Sequence, residues 1–330
     1  MVEKAPFLSC KCIDNMAENR PTPEEIFNLL QRAKSRERSL FVSPVDTEAA
    51  MRYGAFVGSV IESHSTLPRA MDHARHLINK TVQAGSSVAS GTVILADTMT
   101  RSKGRFARAW HAPAGGIWGC LIHANTLLPQ SRRFISLATG LSCCEAVREI
   151  GLEKALLRWV NDVLFEGRKL AGFLVESFTE PVHGEEFTLV GFGINANNGL
   201  FPAELNASSI SLGQILAREI DLCTFTALFL SRLAWNFGLL YHEEAKELRG
   251  EGFSGRGGQH LLLERWLACS DTVGKRVVYG FDVMTAPQYR ADVLGIDADG
   301  GLILRLAGGH EKTEYSGEIR YLEPPLLPLP

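Results

Sequence analysis

Residues 101–110 read RSKGRFARAW. Arg101, Lys103 and Arg105 alternate with Ser102 and Gly104, Arg108 follows after Phe106 and Ala107, and Trp110 closes the run. In such a stretch a glycine between two cations lets backbone amides and side chains converge on one anion. Arginine adds a planar fork that matches phosphate oxygens. Trp110 is placed to pack beneath the loop and fix its base. Three uses are open: a disordered basic tail, a nucleic-acid patch, or a loop that holds a phosphate. Taken alone, an exposed basic hairpin without a ligand fits equally well.

A second group of residues stands further along. RWVND (158–162) is followed by GRKLAGFLVE (167–176). Asn161 and Asp162 end an apolar strand, and Lys169 leads the next one past a turn at Glu166–Gly167. A carboxylate, an amide and a lysine thus meet at the mouth of a hairpin. The same residue types are also the ordinary material of a surface turn.

The elements that must position these groups are legible around them. Thr22, Pro23 and Glu25 open a helix with a capping box. It is the one convincing helix before residue 50, too little for a DNA-reading winged helix-turn-helix. YGAFVGSVIES suggests a strand, AMDHARHLINKTV a helix, and GTVILAD a buried strand directly before the basic run. GGIWGCLIHAN is a further strand, and RFISLATGLSCCEAVREIG a helix stopped by Gly151. Residues 155–178 read as two strands around the 166–167 turn, FTLVGFGINAN as another strand, and 211–248 as mainly helical. GFSGRGGQH marks a boundary or a mobile loop. Beyond it, short strands and the hairpin signal DADGG suit a small antiparallel barrel, and the closing PPLLPLP lies extended.

Composition limits the options. The chain has 330 residues, 45% hydrophobic and 22% charged, with a formal net charge of −3. That gives no reason for bulk affinity to nucleic acid or anionic membrane, so the basic run is a local feature. No stretch approaches the ~18 consecutive apolar residues of a membrane helix, and the start has no leader pattern; the expectation is a cytoplasmic protein. Seven scattered cysteines, with Cys143 and Cys144 adjacent in an apolar helix, indicate reduced thiols. Cys10-x-Cys12 is a lone pair without further ligands. Trp118, Trp159 and Trp235 read as core aromatics.

The two groups together, in this order, resemble the biotin–protein ligase family, within the wider set of biotin and lipoate ligases. Ser102 to Trp110 align with that family's Gly- and Arg-rich loop, and HAPAGG stands in place of its S-P-x-G. RWVND stands where the family has K-W-P-N-D, and RKLAGFLVE and GFGINAN followed by Phe201, Pro202 and SSISL match later motifs. VGKRVVY, GIDADGGLIL and SGEIRYL resemble its C-terminal barrel, so the likeness spans residues 55–322.

The resemblance implies an α+β fold of the class II synthetase-like type. A mixed sheet flanked by helices would occupy 46–265 and an SH3-like barrel 268–330, behind an extension at 1–45 with one helix. It implies a two-step reaction: a carboxylic acid, biotin first, forms acyl-AMP with ATP and Mg2+, and the acyl group passes to a lysine of a biotin carboxyl carrier-type protein. Lys169 would contact carboxylate and phosphate, with Arg105 and Asp162 as further catalytic residues. Lys103, Gly104, Arg108, Trp110 and Asn161 would bind the adenylate, and Met99, Gly172 and Asn195 would line the acyl pocket. Asp162 would orient adenylate or Mg2+. A homodimer is open; membrane and specific DNA binding are not expected.

The match breaks at the acyl end. The family's pocket glutamine aligns with Met99, and loop glycines are replaced by Ser102 and Ala107. The second pocket motif aligns either with Arg69 and Ala70 or with Ser63 and His64, and both remain open. His64 and His111 are candidate polar contacts, but exposed or satisfied histidines fit as well. Alternatives are a ligase for lipoate, octanoate or another acid, or a non-catalytic module that binds an acyl-adenylate.

Overall fold

A computed structural model describes residues 20–40 and 43–322. The expectations for Cys10-x-Cys12 and for PPLLPLP lie outside these residues. Helix α1 (Pro23–Arg36) starts on the expected cap: the Thr22 hydroxyl accepts from the Glu25 amide and the Glu25 carboxylate accepts from the Thr22 amide. A second helix, α2 (Pro44–Gly54), follows on Ser43 and Pro44. The expectation of a single early helix is therefore too low. Nor is this region an appendage, because Ile26, Leu30 and Ala33 of α1 are buried in the main core.

The body is a seven-stranded sheet. Its members are β1 (Val60–Leu67), β2 (Thr92–Met99), β3 (Ile117–Ala124), β4 (Ala155–Arg158), β5 (Asp162–Phe165), β6 (Arg168–Thr179) and β7 (Glu186–Ile194). The spatial order is β1-β2-β3-β7-β6-β5-β4. Only β1 and β2 run parallel; every other pairing is antiparallel. The strand expected across 155–165 is two short strands with Trp159–Asn161 between them.

Helices cover both faces, which is why the central strands read as continuous apolar runs. Helix α3 (Ala70–Gln83) packs on one face against Ile94, Ala96, Cys120, Ile122 and Leu189. The other face, with Val93, Leu95, Leu121 and Val190, is covered by a larger helical layer. After α4 (Pro129–Arg132) come α5 (Phe134–Glu149), α6 (Ala203–Asn206), α7 (Leu212–Leu216), α8 (Leu222–Leu248) and α9 (Leu261–Ala268). Gly151 ends the α5 turn with φ +94°, as expected.

Helix α8 is long and apolar enough to cross a membrane, yet 83% of its most apolar stretch is buried inside the protein. It is a core helix. It crosses α2 at backbone contact: a Cβ on Gly238 would lie 1.9 Å from the Ala50 carbonyl oxygen, and one on Gly54 1.8 Å from that of Ala234.

The GFSGRGGQH stretch does not mark the edge of this body, since α9 follows it and buries Leu261, Leu262, Leu263 and Trp266 in the same core. Strands β8 (Arg276–Gly280), β9 (Tyr289–Ile296), β10 (Leu302–Leu306), β11 (Glu311–Glu314) and β12 (Glu318–Tyr321) form the C-terminal sheet, in the order β11-β10-β9-β8-β12. The expected DADGG hairpin joins β9 to β10. The sheet does not close into a barrel: β12 pairs with β8, and the four-residue strands β11 and β12 remain its two edges. This sheet meets the body just after β4, where the Trp159 indole donates to the Gly300 carbonyl in the β9–β10 turn.

Candidate functional site

On the α3 face, β7 carries Leu189, Gly191 and Gly193, while Val190, Phe192 and Ile194 turn to the opposite core, and Asn195 follows the strand. Gly193 pairs directly with Gly172 of β6. Three glycines thus clear a floor beyond the end of the α3 core. Trp110 lies on it: a Cβ on Gly193 would stand 2.7 Å from the indole nitrogen, and one on Gly172 3.1 Å from the ring. A Cβ on Gly191 would meet the Met71 sulfur at 2.6 Å. The glycines are needed because aromatic and sulfur atoms rest against the backbone.

Lys169 stands at one end of this floor. Its backbone is held by the 208–210 segment, donating to the Ser208 carbonyl at 2.7 Å and accepting from the Ile210 amide at 3.0 Å. Its ammonium is 5.3 Å from the centre of the Trp110 ring and 2.6 Å from Asp162 Oδ1. The other Asp162 oxygen takes Arg158 at 2.6 Å. Arg158 and Asp162 face each other across the β4–β5 pair. Burial would raise the Asp162 carboxyl, but the Lys169 and Arg158 cations prevail and hold it well below the usual carboxylate range. Asn161 is buried and donates to the Phe173 carbonyl at 2.7 Å. Asn195, also buried, donates to the Lys169 carbonyl and accepts from Asn198.

The basic loop closes one wall. The Ser102 hydroxyl donates to the Trp110 carbonyl at 2.6 Å, and the Trp110 amide returns to the Ser102 carbonyl at 3.0 Å. A short helical turn at the tip places Phe106 at φ +55°, with Arg105 and Arg108 both near its ring. Two of the loop cations have partners in the C-terminal segment. Arg105 donates to the Gly317 carbonyl at 2.7 Å, and Arg108 pairs with Glu318. Burial, more than any neighbour, lowers the Arg105 pKa. Lys103 and Arg101 are exposed.

Elsewhere on the cavity lining, the Met99 sulfur accepts from the Ala70 amide at 3.3 Å, and Met71 lines the same cavity. The two alternatives for the second pocket motif separate here. Arg69 and Ala70 line the cavity; Ser63 and His64 do not. Arg69 is held by Glu176 at 2.8 Å, and its buried Nε has no partner among the described residues. His111 lines the mouth, with Nε2 3.2 Å from the Leu200 carbonyl. Trp118, Trp159 and Trp235 are core residues, as expected.

The eleven residues that the resemblance assigns to catalysis, adenylate and acyl pocket line one cavity of about 530 Å³: Met99, Lys103, Gly104, Arg105, Arg108, Trp110, Asn161, Asp162, Lys169, Gly172 and Asn195; the candidate contact His64 does not. That volume is in the range of small-molecule sites. Sequence reasoning missed Arg158, Gly193, Met71 and the Gly317–Glu318 edge. Arg158 had a signal, its place at the head of RWVND four residues before Asp162; the C-terminal edge, 212 and 210 residues from its loop partners, had none. Asp162 does not fit as a direct Mg2+ ligand, because both its oxygens are taken by cations and Mg2+ needs close oxygen donors in near-octahedral array.

The model of the biotin/lipoate A/B protein ligase family matches residues 71–195. The chain is 26% identical over 280 residues to the bifunctional ligase/repressor BirA of Bacillus subtilis, covering 83% of this chain and 78% of that one. It is 31% identical over 232 residues to BirA of Salmonella typhimurium, covering 70% and 66%. Among solved structures, the biotin protein ligase of Aquifex aeolicus in complex with biotin and ATP has the same fold. The TM-score is 0.61 at 22% identity, over 80% of this chain and 99% of that one.

Proposed function

The chain belongs to the biotin–protein ligase family, and from that premise we propose that it is an ATP-dependent ligase that attaches biotin to a carrier protein through a biotinyl-AMP intermediate. The observation that carries the reading is the position of Lys169. It lies over Trp110 beside Gly172, in the cavity that Met99, Ala70 and Met71 line together with the basic loop. A carboxylate that entered from the Met99 end would meet the α-phosphate of ATP beside this ammonium.

In the first step a carboxylate oxygen attacks the α-phosphorus, the bond to the β-phosphate breaks, and pyrophosphate leaves with the electron pair. In the second, a lysine nitrogen of the carrier attacks the acyl carbon, AMP departs, and the nitrogen loses a proton. Neither step needs a covalent bond to this chain. Its residues supply position and charge: Lys169 bridges carboxylate and phosphate, Arg158 and Asp162 hold Lys169 in place, and Arg105 with Lys103 faces the phosphate. Gly104 permits close backbone approach. The loop shields the anhydride from water.

Met99 and Met71 favour a second reading, a ligase for a less polar acid such as lipoate or octanoate, because thioethers offer soft contact and no strong hydrogen bond. Exchange of labelled pyrophosphate into ATP, run with biotin, lipoate and octanoate, tests both. Biotin-dependent exchange is the expected outcome. Exchange with the other acids alone selects the second reading, and no exchange with any of them points to a non-catalytic acyl-adenylate-binding module.

A further inference from the structure

Outside the cavity, Glu62 and His64 of β1 and His73 of α3 turn toward a single point. Glu62 and His64 are two residues apart on the edge strand, so they share its α3 face. The Nε2 atoms of His64 and His73 each lie 2.7 Å from the same oxygen of Glu62. The two rings meet edge to face with centroids 4.5 Å apart. The three ligand atoms lie within 4.8 Å of one another. None of the three residues lines the cavity.

We propose that Glu62, His64 and His73 form a binding site for a divalent transition-metal ion, zinc being the natural occupant, that clips strand β1 to helix α3. Two imidazole nitrogens and a carboxylate oxygen are a donor set suited to Zn2+. Zinc–ligand distances of ~2.0–2.1 Å in a tetrahedron separate neighbouring ligand atoms by about 3.3 Å. The 2.7 Å contacts therefore open by roughly 0.6 Å to admit the ion, within the reach of small side-chain rotations. The side chains are 23–35% exposed, so water completes the coordination. The clip would close the segment between His64 and His73, which carries Arg69, Ala70 and Met71 into the acyl end of the cavity. The inference does not rest on the ligase reading.

Glutamine substitutions separate a metal site from a hydrogen-bonded triad. The amide of His64→Gln or His73→Gln still donates to Glu62, but it is a poor zinc ligand. The full chain, stripped with chelator, is titrated with Zn2+ by calorimetry and with Co2+ by visible absorption. The expected result is saturation at one equivalent, with Co2+ d–d bands of four- or five-coordinate intensity. Each glutamine variant should bind at least about a hundredfold more weakly, since loss of a direct ligand exceeds the ~10–100-fold cost of losing an outer-shell partner. Cys10→Ser/Cys12→Ser should bind as the parent does. Zn2+ should raise the Tm of the parent but not of either glutamine variant, and all should share one Tm in chelator. Parent protein that takes up no metal overturns the proposal. So do glutamine variants that bind like the parent, or binding that disappears with Cys10 and Cys12.

Discussion

Lys169 is the residue on which the proposed chemistry turns. Its partners fix it from three sides: Asp162 at the ammonium, Trp110 under it, and the 208–210 segment at its backbone. A charge-assisted contact formed in the transition state is typically worth about 3–4 kcal/mol, so Lys169→Ala should slow acyl-adenylate formation by roughly two to three decades. Pyrophosphate exchange with the accepted acid measures this, and near-parental rates would remove the assignment. In the proposed acyl pocket, Met99 stands where the family has glutamine. Methionine leaves a buried ureido group unpaired at a cost of about 1–3 kcal/mol, so Met99→Gln should tighten biotin by one to two decades. It should weaken acids with hydrocarbon tails, which leave the new amide unpaired. Calorimetric titration of parent and variant with biotin and lipoate decides it. If the parent binds biotin at about 1 μM or tighter and Met99→Gln changes nothing, the side chain does not face the ring. The residue types of the site were legible because local motifs carry them. Arg158 was overlooked although it opens the RWVND motif, because its role as counter-ion comes from the β4–β5 pairing that sets it opposite Asp162.

At the scale of elements, the strands buried on both faces were legible as unbroken apolar runs, and α1 by its capping box. Helix α2 was missed although Ser43 and Pro44 mark its start, because the texture of YGAFVGSVIES drew its last turn into a strand. The barrel was expected from strand spacing, but closure depends on edge pairing that no local pattern encodes. The basic loop shows the same limit. Gly317 and Glu318, at the start of β12, receive two of its cations, and no local pattern announces that contact. These contacts tie the loop to the C-terminal sheet. Glu318→Ala should free Arg108 and speed tryptic cleavage at Arg105 and Arg108 in the ligand-free protein. Acid and ATP should restore protection, because an adenylate offers the arginines a new anion. Cleavage at one unchanged rate in parent and variant, with and without ligand, would mean that neither contact orders the loop.

The whole molecule carries its own pH limit in buried imidazoles. His123 sits among Phe56, Phe237 and Tyr241, with Nε2 2.7 Å from the Tyr241 hydroxyl. His260 caps α9 by accepting the Leu262 amide on Nδ1 and stacks on Phe134 at 4.1 Å. Burial pushes each ring down to about 4 from an ordinary value of 6.5, and His242 is shifted the same way by burial. As pH falls below 6.5 the unfolded chain takes up protons at these positions while the folded chain does not, so stability falls until the folded rings titrate near pH 4. Above pH 6.5 the effect vanishes. Each of the two rings at about 4 removes roughly 3 kcal/mol across that window, a large part of an ordinary folding free energy. The depressed carboxylates act lower down: the contribution of Asp162 is complete above its ordinary 3.8 and is lost only as pH drops further. Urea unfolding from pH 8 to pH 4.5 should therefore show stability flat above pH 7 and falling steeply below 6.5. His260→Asn isolates one ring, because asparagine can accept the same helix-cap bond but does not titrate. Its curve should start lower at pH 8, for want of the Phe134 stack. It should then fall less steeply, by up to about 1.4 kcal/mol per pH unit. A variant curve parallel to the parent's throughout would show that His260 takes up its proton in the folded state and that the acid limit lies elsewhere.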